Sequence, residues 1–166
     1  MSISIIISIA ALAFSLSAFL YGRWRDKRDL LLRLHEHLVS ADQQRGRRLL
    51  FVMKETQKRV EDISDDDYIL INNALAALNV LGIYYLHRYI PRKDVLELWA
   101  VPTLRAFMAA DVFISYRDAE NGMPTWPHLR EFCEHARKYT QRAGLVVQAP
   151  GPRPEMQQPA DQEQSS

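Results

Sequence analysis

His128, Glu131 and His135 are the side chains whose types and spacing come nearest to chemistry. On a helix, Glu131 and His135 stand one turn apart, and the two histidines, seven apart, flank one face. Two imidazoles with a carboxylate between them can approach one metal ion, or can divide general-acid and general-base duties. The H-E-x-x-H pattern of a helical zinc site is absent, and a Glu–His pair one turn apart is also ordinary on a solvated helix. His35-Glu36-His37 puts its imidazoles two residues apart, on different sides of a helix, where they cannot jointly grip one ion. Asp65-Asp66-Asp67 carries charge for a hard cation but lacks the spaced ligands and turning glycine of a calcium loop. There is no phosphate-cradling glycine loop and no serine in G-x-S-x-G. Nothing marks Cys133 as a nucleophile. The sequence therefore assigns no catalytic residue, no metal ligand and no cofactor. A membrane-tethered enzyme or metal-binding protein using His128, Glu131 and His135 is the alternative reading.

The elements that carry these residues are helical. Leu30, Leu31, Leu34 and Leu38 recur at helical spacing, and so do Leu129, Phe132, Ala136 and Tyr139. A second segment, about Gln44 to Glu61, has a narrow apolar stripe beside Arg45, Arg47, Arg48, Lys54, Lys58 and Arg59. Ser64 is a good N-cap for a third helix, and Asp65, Asp66 and Asp67 suit the positive end of its dipole. That helix should stop at Ile90-Pro91, because proline disfavours the helical conformation of the residue before it. A fourth segment, about Lys93 to Ala119, contains Pro102, which should kink or divide it. Glu120-Asn121-Gly122-Met123-Pro124 is a turn cluster, and Pro127 suits the first turn of a last helix. The expected fold is all-α: an N-terminal transmembrane helix followed by an antiparallel helical bundle in the cytoplasm.

From Ser2 to Tyr21 there is no charged side chain. About 20 apolar residues suffice to cross a bilayer core as a helix. The serines in this run can bond back to carbonyls one turn earlier. Tyr21 and Trp24 suit the membrane interface, and Arg23, Arg25, Lys27 and Arg28 follow directly. Basic residues beside a span favour the cytoplasmic side, so the N-terminus is expected outside and the rest inside. The same four residues are candidates for anionic lipid headgroups. Residues 22–59 carry 11 Lys and Arg against 5 Asp and Glu, whereas residues 60–143 carry 9 against 12. Basic charge thus lies next to the anchor, which fits a membrane better than a nucleic-acid groove. Arg45-Gly46-Arg47-Arg48, with Lys54, Lys58 and Arg59, is a second candidate for lipid phosphate.

Tyr68–Leu86 is uncharged as well and long enough for a second span. Asn72, Asn73 and Asn79 favour a buried bundle helix instead, since lipid would leave their amides unsatisfied. Asn79 and Gly82 then belong where neighbouring backbones approach closely. A single cysteine excludes an intramolecular disulfide and a multi-thiolate metal site, and Cys133 reads as a small core residue. The domain boundaries follow: residues 1–22 anchor, 23–143 helical bundle, 144–166 a disordered polar, proline-rich tail.

Two stretches, Asn79-Val80-Leu81-Gly82-Ile83-Tyr84-Tyr85-Leu86 and Ile90-Pro91-Arg92-Lys93-Asp94-Val95-Leu96-Glu97-Leu98-Trp99, look familiar together. With Tyr116-Arg117, the run Trp126 to Phe132 and the N-terminal span, they resemble a bacterial family of small, single-span, helix-rich membrane-anchored proteins known only as a domain of unknown function. The resemblance implies the architecture and no chemistry. The expected function is a cytoplasmic-face interaction or scaffolding module without catalytic activity. It would hold the bilayer through residues 2–21 and bind an unidentified protein partner or a second copy.

Overall fold

The computed structural model describes residues 3–148. The expected tail falls mostly on residues 149–166, outside that range. Among the described residues the structure is wholly helical: α1 (Ile3–Leu38), α2 (Ala41–Thr56), α3 (Asp65–Leu86), α4 (Arg92–Ala109), α5 (Asp111–Asn121) and α6 (Pro127–Arg142), with a 3-10 turn at Val60–Asp62.

Helix α3 packs chiefly on α2 and α6, and α4 lies against α6 and α2. The four therefore close a ring in the order α2–α3–α6–α4, and α5 carries the chain from α4 to α6. The sequence sets two of these contacts. A Cβ at Gly46 would collide with the Leu70 carbonyl oxygen and stand 2.8 Å from Ala74 Cβ, so only glycine lets α2 lie so close to α3. A Cβ at Gly82 would come within 2.7 Å of the His128 carbonyl carbon, where α3 meets α6. Beside it, Asn79 Oδ1 accepts a hydrogen bond from the Leu129 backbone N–H at 3.0 Å. That N–H is one of the donors a helix start leaves unsatisfied. Asn79 meets Leu129, while Tyr85 meets Phe132 and His135. Along this contact α3 and α6 thus run in the same sense. The expectation of an all-antiparallel bundle is corrected here, because α5 and its turns return the chain before α6 begins.

The core is continuous. Leu38, Leu50, Ile71, Leu75, Leu78, Leu81, Val95, Phe113, Leu129 and Phe132 are fully buried. Among the described side chains, helix α1 joins it through its second half, where Leu31, Leu34 and Leu38 are buried. Its 36 residues run unbroken from Ile3, a length of about 54 Å at 1.5 Å per residue. At its end, the Leu38 carbonyl accepts from an Arg47 guanidinium N–H at 2.8 Å and the Val39 carbonyl from Gln44 Nε2 at 2.6 Å. Side chains of α2 thus satisfy carbonyls that the end of α1 leaves free.

The other ends show which local signals win. Ser64 caps α3 as expected, its Oγ accepting from the Asp67 N–H at 3.2 Å. The helix then stops at Leu86, some three residues before the proline-based expectation. Arg88 adopts a left-handed conformation (φ 59°), its N–H reaches the Tyr85 carbonyl, and the Tyr89 N–H reaches the Tyr84 carbonyl. This is a Schellman closure, in which glycine is the usual left-handed residue. At the end of α6 the same closure does use glycine: Gly144 has φ 66°, and the Leu145 N–H reaches the Thr140 carbonyl. Pro102 does not divide α4. Burial of Trp99, Ala100, Thr103 and Leu104 on both sides of the proline holds the helix across it. The break falls at Ala110, where α5 turns away by 66°. There Asp111 Oδ1 accepts from the Val112 N–H at 2.9 Å and Oδ2 pairs with Lys54 at 2.5 Å.

Candidate functional site

The three residues nearest to chemistry are pulled apart by the packing. Glu131 is exposed. His128 turns toward the end of α3, its ring 6.4 Å from that of His87, with Nδ1 enclosed and without a hydrogen-bond partner. His135 lies edge-on to Tyr85 at 5.6 Å. Tyr85 in turn packs edge-on to Phe132 at 5.0 Å. Among the described residues, no three His, Cys, Asp or Glu side chains stand where they could hold one metal ion. His35 serves as a packing ring, 5.6 Å from Trp99, while Glu36 and His37 are exposed. Asp65, Asp66 and Asp67 form the first turn of α3, with Asp67 3.8 Å from Arg45. Cys133 is 1% exposed, and burial pushes its thiol up to about 12.

The second basic candidate is engaged by the fold in part. Gly46 is the contact point with α3, and Arg47 is half-buried. The Arg47 guanidinium lies 5.8 Å from the Trp99 ring centre, and burial lowers its pKa below the ordinary arginine value. Arg45, Lys54 and Arg59 each face a carboxylate, Asp67, Asp111 and Glu61. Arg47 is thus engaged at the end of α1, while Arg45, Arg48 and Lys58 of the same patch remain exposed. Sequence alone does not distinguish a buried capping arginine from its exposed neighbours at positions 45 and 48.

One constellation escapes sequence reading altogether. Asp118 Oδ1 accepts from the Thr125 N–H at 2.7 Å and from the Thr125 hydroxyl at 2.6 Å, while Oδ2 pairs with Arg130 at 2.5 Å. Arg130 Nε also donates to the Thr125 carbonyl at 2.9 Å. Burial works against the Asp118 charge. Hydrogen bonds from Thr125 and the charge of Arg130 outweigh it and hold the carboxyl below its ordinary range. The clamp ties α5 to α6 and holds Trp126 in its left-handed conformation (φ 49°) ahead of Pro127. The only sequence signal was a short polar residue and an arginine around a Gly-Met-Pro turn, which is common in loops.

In the first half of α1 the large apolar side chains that the structure describes are bare: Ile3 is 77% exposed, Leu12 71% and Phe14 78%. Exposed apolar area on this scale marks an interaction or membrane site. Just after it, Tyr21 and Trp24 pack at 6.2 Å, and the Arg28 guanidinium lies 5.6 Å from the Trp24 ring centre. An apolar groove of about 480 Å³ separates this part of α1 from α4, lined by Trp24, Arg28, Leu31, Leu32, Pro91, Asp94, Glu97 and Leu98. By length and composition, α3 is itself a helix that could cross a membrane. Its buried residues, from Ile71 to Tyr85, are engaged within the bundle.

Compared with known proteins, the chain matches no family model, no curated protein and no solved structure.

Proposed function

We propose that this chain is a single-pass, membrane-anchored helical interaction module, with residues 2–21 in the bilayer, its N-terminus outside and its bundle on the cytoplasmic face. The observation that carries the reading is the division of α1. Its first half is apolar, with Ile7, Leu12, Phe14, Leu16, Phe19 and Leu20 bare, and its second half contributes Leu31, Leu34 and Leu38 to the core. Water would penalise the first half, at roughly 25 cal/mol per Å² of apolar surface left exposed, whereas a bilayer removes that cost. Within the described part of this segment, Ser17 Oγ donates back to the Ala13 carbonyl at 2.8 Å, as a lipid-facing serine must. Arg23, Arg25, Lys27 and Arg28 follow directly and favour the cytoplasmic side. The bundle binds a protein partner or a second copy.

Carbonate extraction of membranes containing the full chain tests the anchor, and protease protection tests its direction. Retention in the pellet, with the bundle cleaved only after the cytoplasmic face is opened, is the expected result. Release by carbonate removes the anchor, and cleavage from the outer face reverses the orientation.

A further inference from the structure

We propose that the turn between α3 and α4 is a second membrane contact. Arg88 and Lys93 would meet anionic lipid headgroups and Tyr89 would enter the interfacial layer, so that the bundle rests on the bilayer by this end. The inference rests on the reading of α1 as the anchor.

Position comes first. His35 of α1 packs on Trp99 of α4, and Trp24 and Arg28 share a groove with Pro91 and Asp94. The two helices therefore run side by side in the same sense. Going back along each, Trp24 lies about 16 Å before His35 and Arg92 about 10 Å before Trp99 at 1.5 Å per residue. The residues just ahead of Arg92 therefore stand level with Trp24, one turn beyond the last uncharged residue of the anchor.

The chemistry of the turn fits that place. Arg88 is exposed and makes no ion pair among the described residues. It holds the left-handed position of the α3 closure, where the α6 closure has Gly144. Tyr89 is 52% exposed and packs on Tyr84 and His87, which leaves its outer edge free for the interface. Lys93 makes only an exposed pair with Glu97 at 3.7 Å. Arg92 is not available, because it donates to the Tyr85 and Leu86 carbonyls. Arg23 and Lys27 add charge from the same level of α1. The opposite end of α3 carries Asp65, Asp66 and Asp67, with Glu61 and Asp62 nearby. Asp67 and Glu61 face Arg45 and Arg59 there, and Asp94 and Glu97 offset part of the charge at the docking end, so an anionic surface favours the α3–α4 end through Arg88, Lys93, Arg23 and Lys27.

The test uses the full chain in vesicles of phosphatidylcholine with or without phosphatidylglycerol. A fluorophore is placed at Tyr89→Cys, or at Ile69→Cys as the far-end control, and quenched by headgroup-labelled lipid. Cys133 is buried and stays unlabelled. Quenching is expected at position 89 but not at 69, only with phosphatidylglycerol, and weakened by salt. Arg88→Glu with Lys93→Glu should abolish it. Arg88→Gly should relieve the backbone and raise the unfolding midpoint, yet lower the docking equilibrium constant about fivefold, the worth of one basic residue near an anionic surface. Equal quenching at 89 and 69 in chains that co-float with the vesicles overturns the docking and leaves the anchor standing. So does quenching at 89 that ignores lipid charge. A chain that does not co-float removes the anchor reading and the docking with it. Protection of position 89 by a co-purifying protein, without lipid quenching, assigns the turn to a protein partner and overturns the proposal.

Discussion

The first half of α1 and most of α3 are two uncharged helical runs of nearly equal length, and they end in opposite surroundings. Residues 3–21 stand outside the bundle, while residues 68–86 form its centre. Apolar length does not separate them. The treatment of polar and small residues does. The Ser17 hydroxyl of α1 bonds to its own helix, so that segment needs no neighbour. Asn79 of α3 bonds to the backbone of α6, and Gly82 leaves room for that backbone to come in. A helix whose polar atoms close on themselves can face lipid, whereas one whose amide caps another helix is committed to that helix.

The contrast can be tested by making the same change in both places. The largest effect is expected from Leu81→Ala, which opens a cavity in the centre of the bundle and should cost about 2–5 kcal/mol in denaturant unfolding. Leu12→Ala, in the bare half of α1, should leave bundle unfolding unchanged. Leu12→Lys should instead act on membrane retention, by about 3 kcal/mol for a charge at the centre of a span, read as loss from the carbonate pellet. Gly82→Ala should destabilise by about 1–3 kcal/mol, because its Cβ meets backbone that cannot step aside, whereas Gly22→Ala has open space around its Cβ and should be neutral. Destabilisation at Gly22 equal to that at Gly82 would place the first half of α1 inside a packed assembly.

The smallest effect at neutral pH concerns Cys133. Its folded thiol is raised from 9.0 to about 12, so the folded state holds the proton that the unfolded chain releases first. The stability this contributes is complete below pH 9 and is lost as pH rises from about 9 to 12. Alkaline denaturation of wild type and Cys133→Ala, compared across that window, should show the extra slope only in the wild type.

Much of this fold was legible because its signals are local. Ser64 and the three aspartates mark the start of α3, Pro127 marks the start of α6, and the leucine spacing marks the second half of α1. The close approach at Asn79 and Gly82 was legible too, since an amide and a glycine in an uncharged helix need a reason. What was hidden depends on partners distant in sequence. Arg47 reads as a surface cation until Leu38 and Trp99 surround it. The end of α3 was set by the Arg88 closure and by Arg92 on its last carbonyls, ahead of the proline. At the break, Asp111 pairs with Lys54, 57 residues earlier, a contact that no local signal announces. His128, Glu131 and His135 share a helix face by spacing, but Tyr85 and His87 draw the two imidazoles to different neighbours.

Helix α1 passes from its bare half to its packed half without a break. Across Gly22 the helix continues without a loop. With residues 3–21 held in a bilayer, the anchor and the bundle move as one rigid lever. Tilting or twisting the buried half would turn the whole bundle by the same angle, and the bundle could not wander over the hemisphere that a flexible tether allows. A partner would find it at one height and one heading. Inserting three glycines after Gly22 would turn the lever into a leash, spreading both height and heading while leaving every core contact in place.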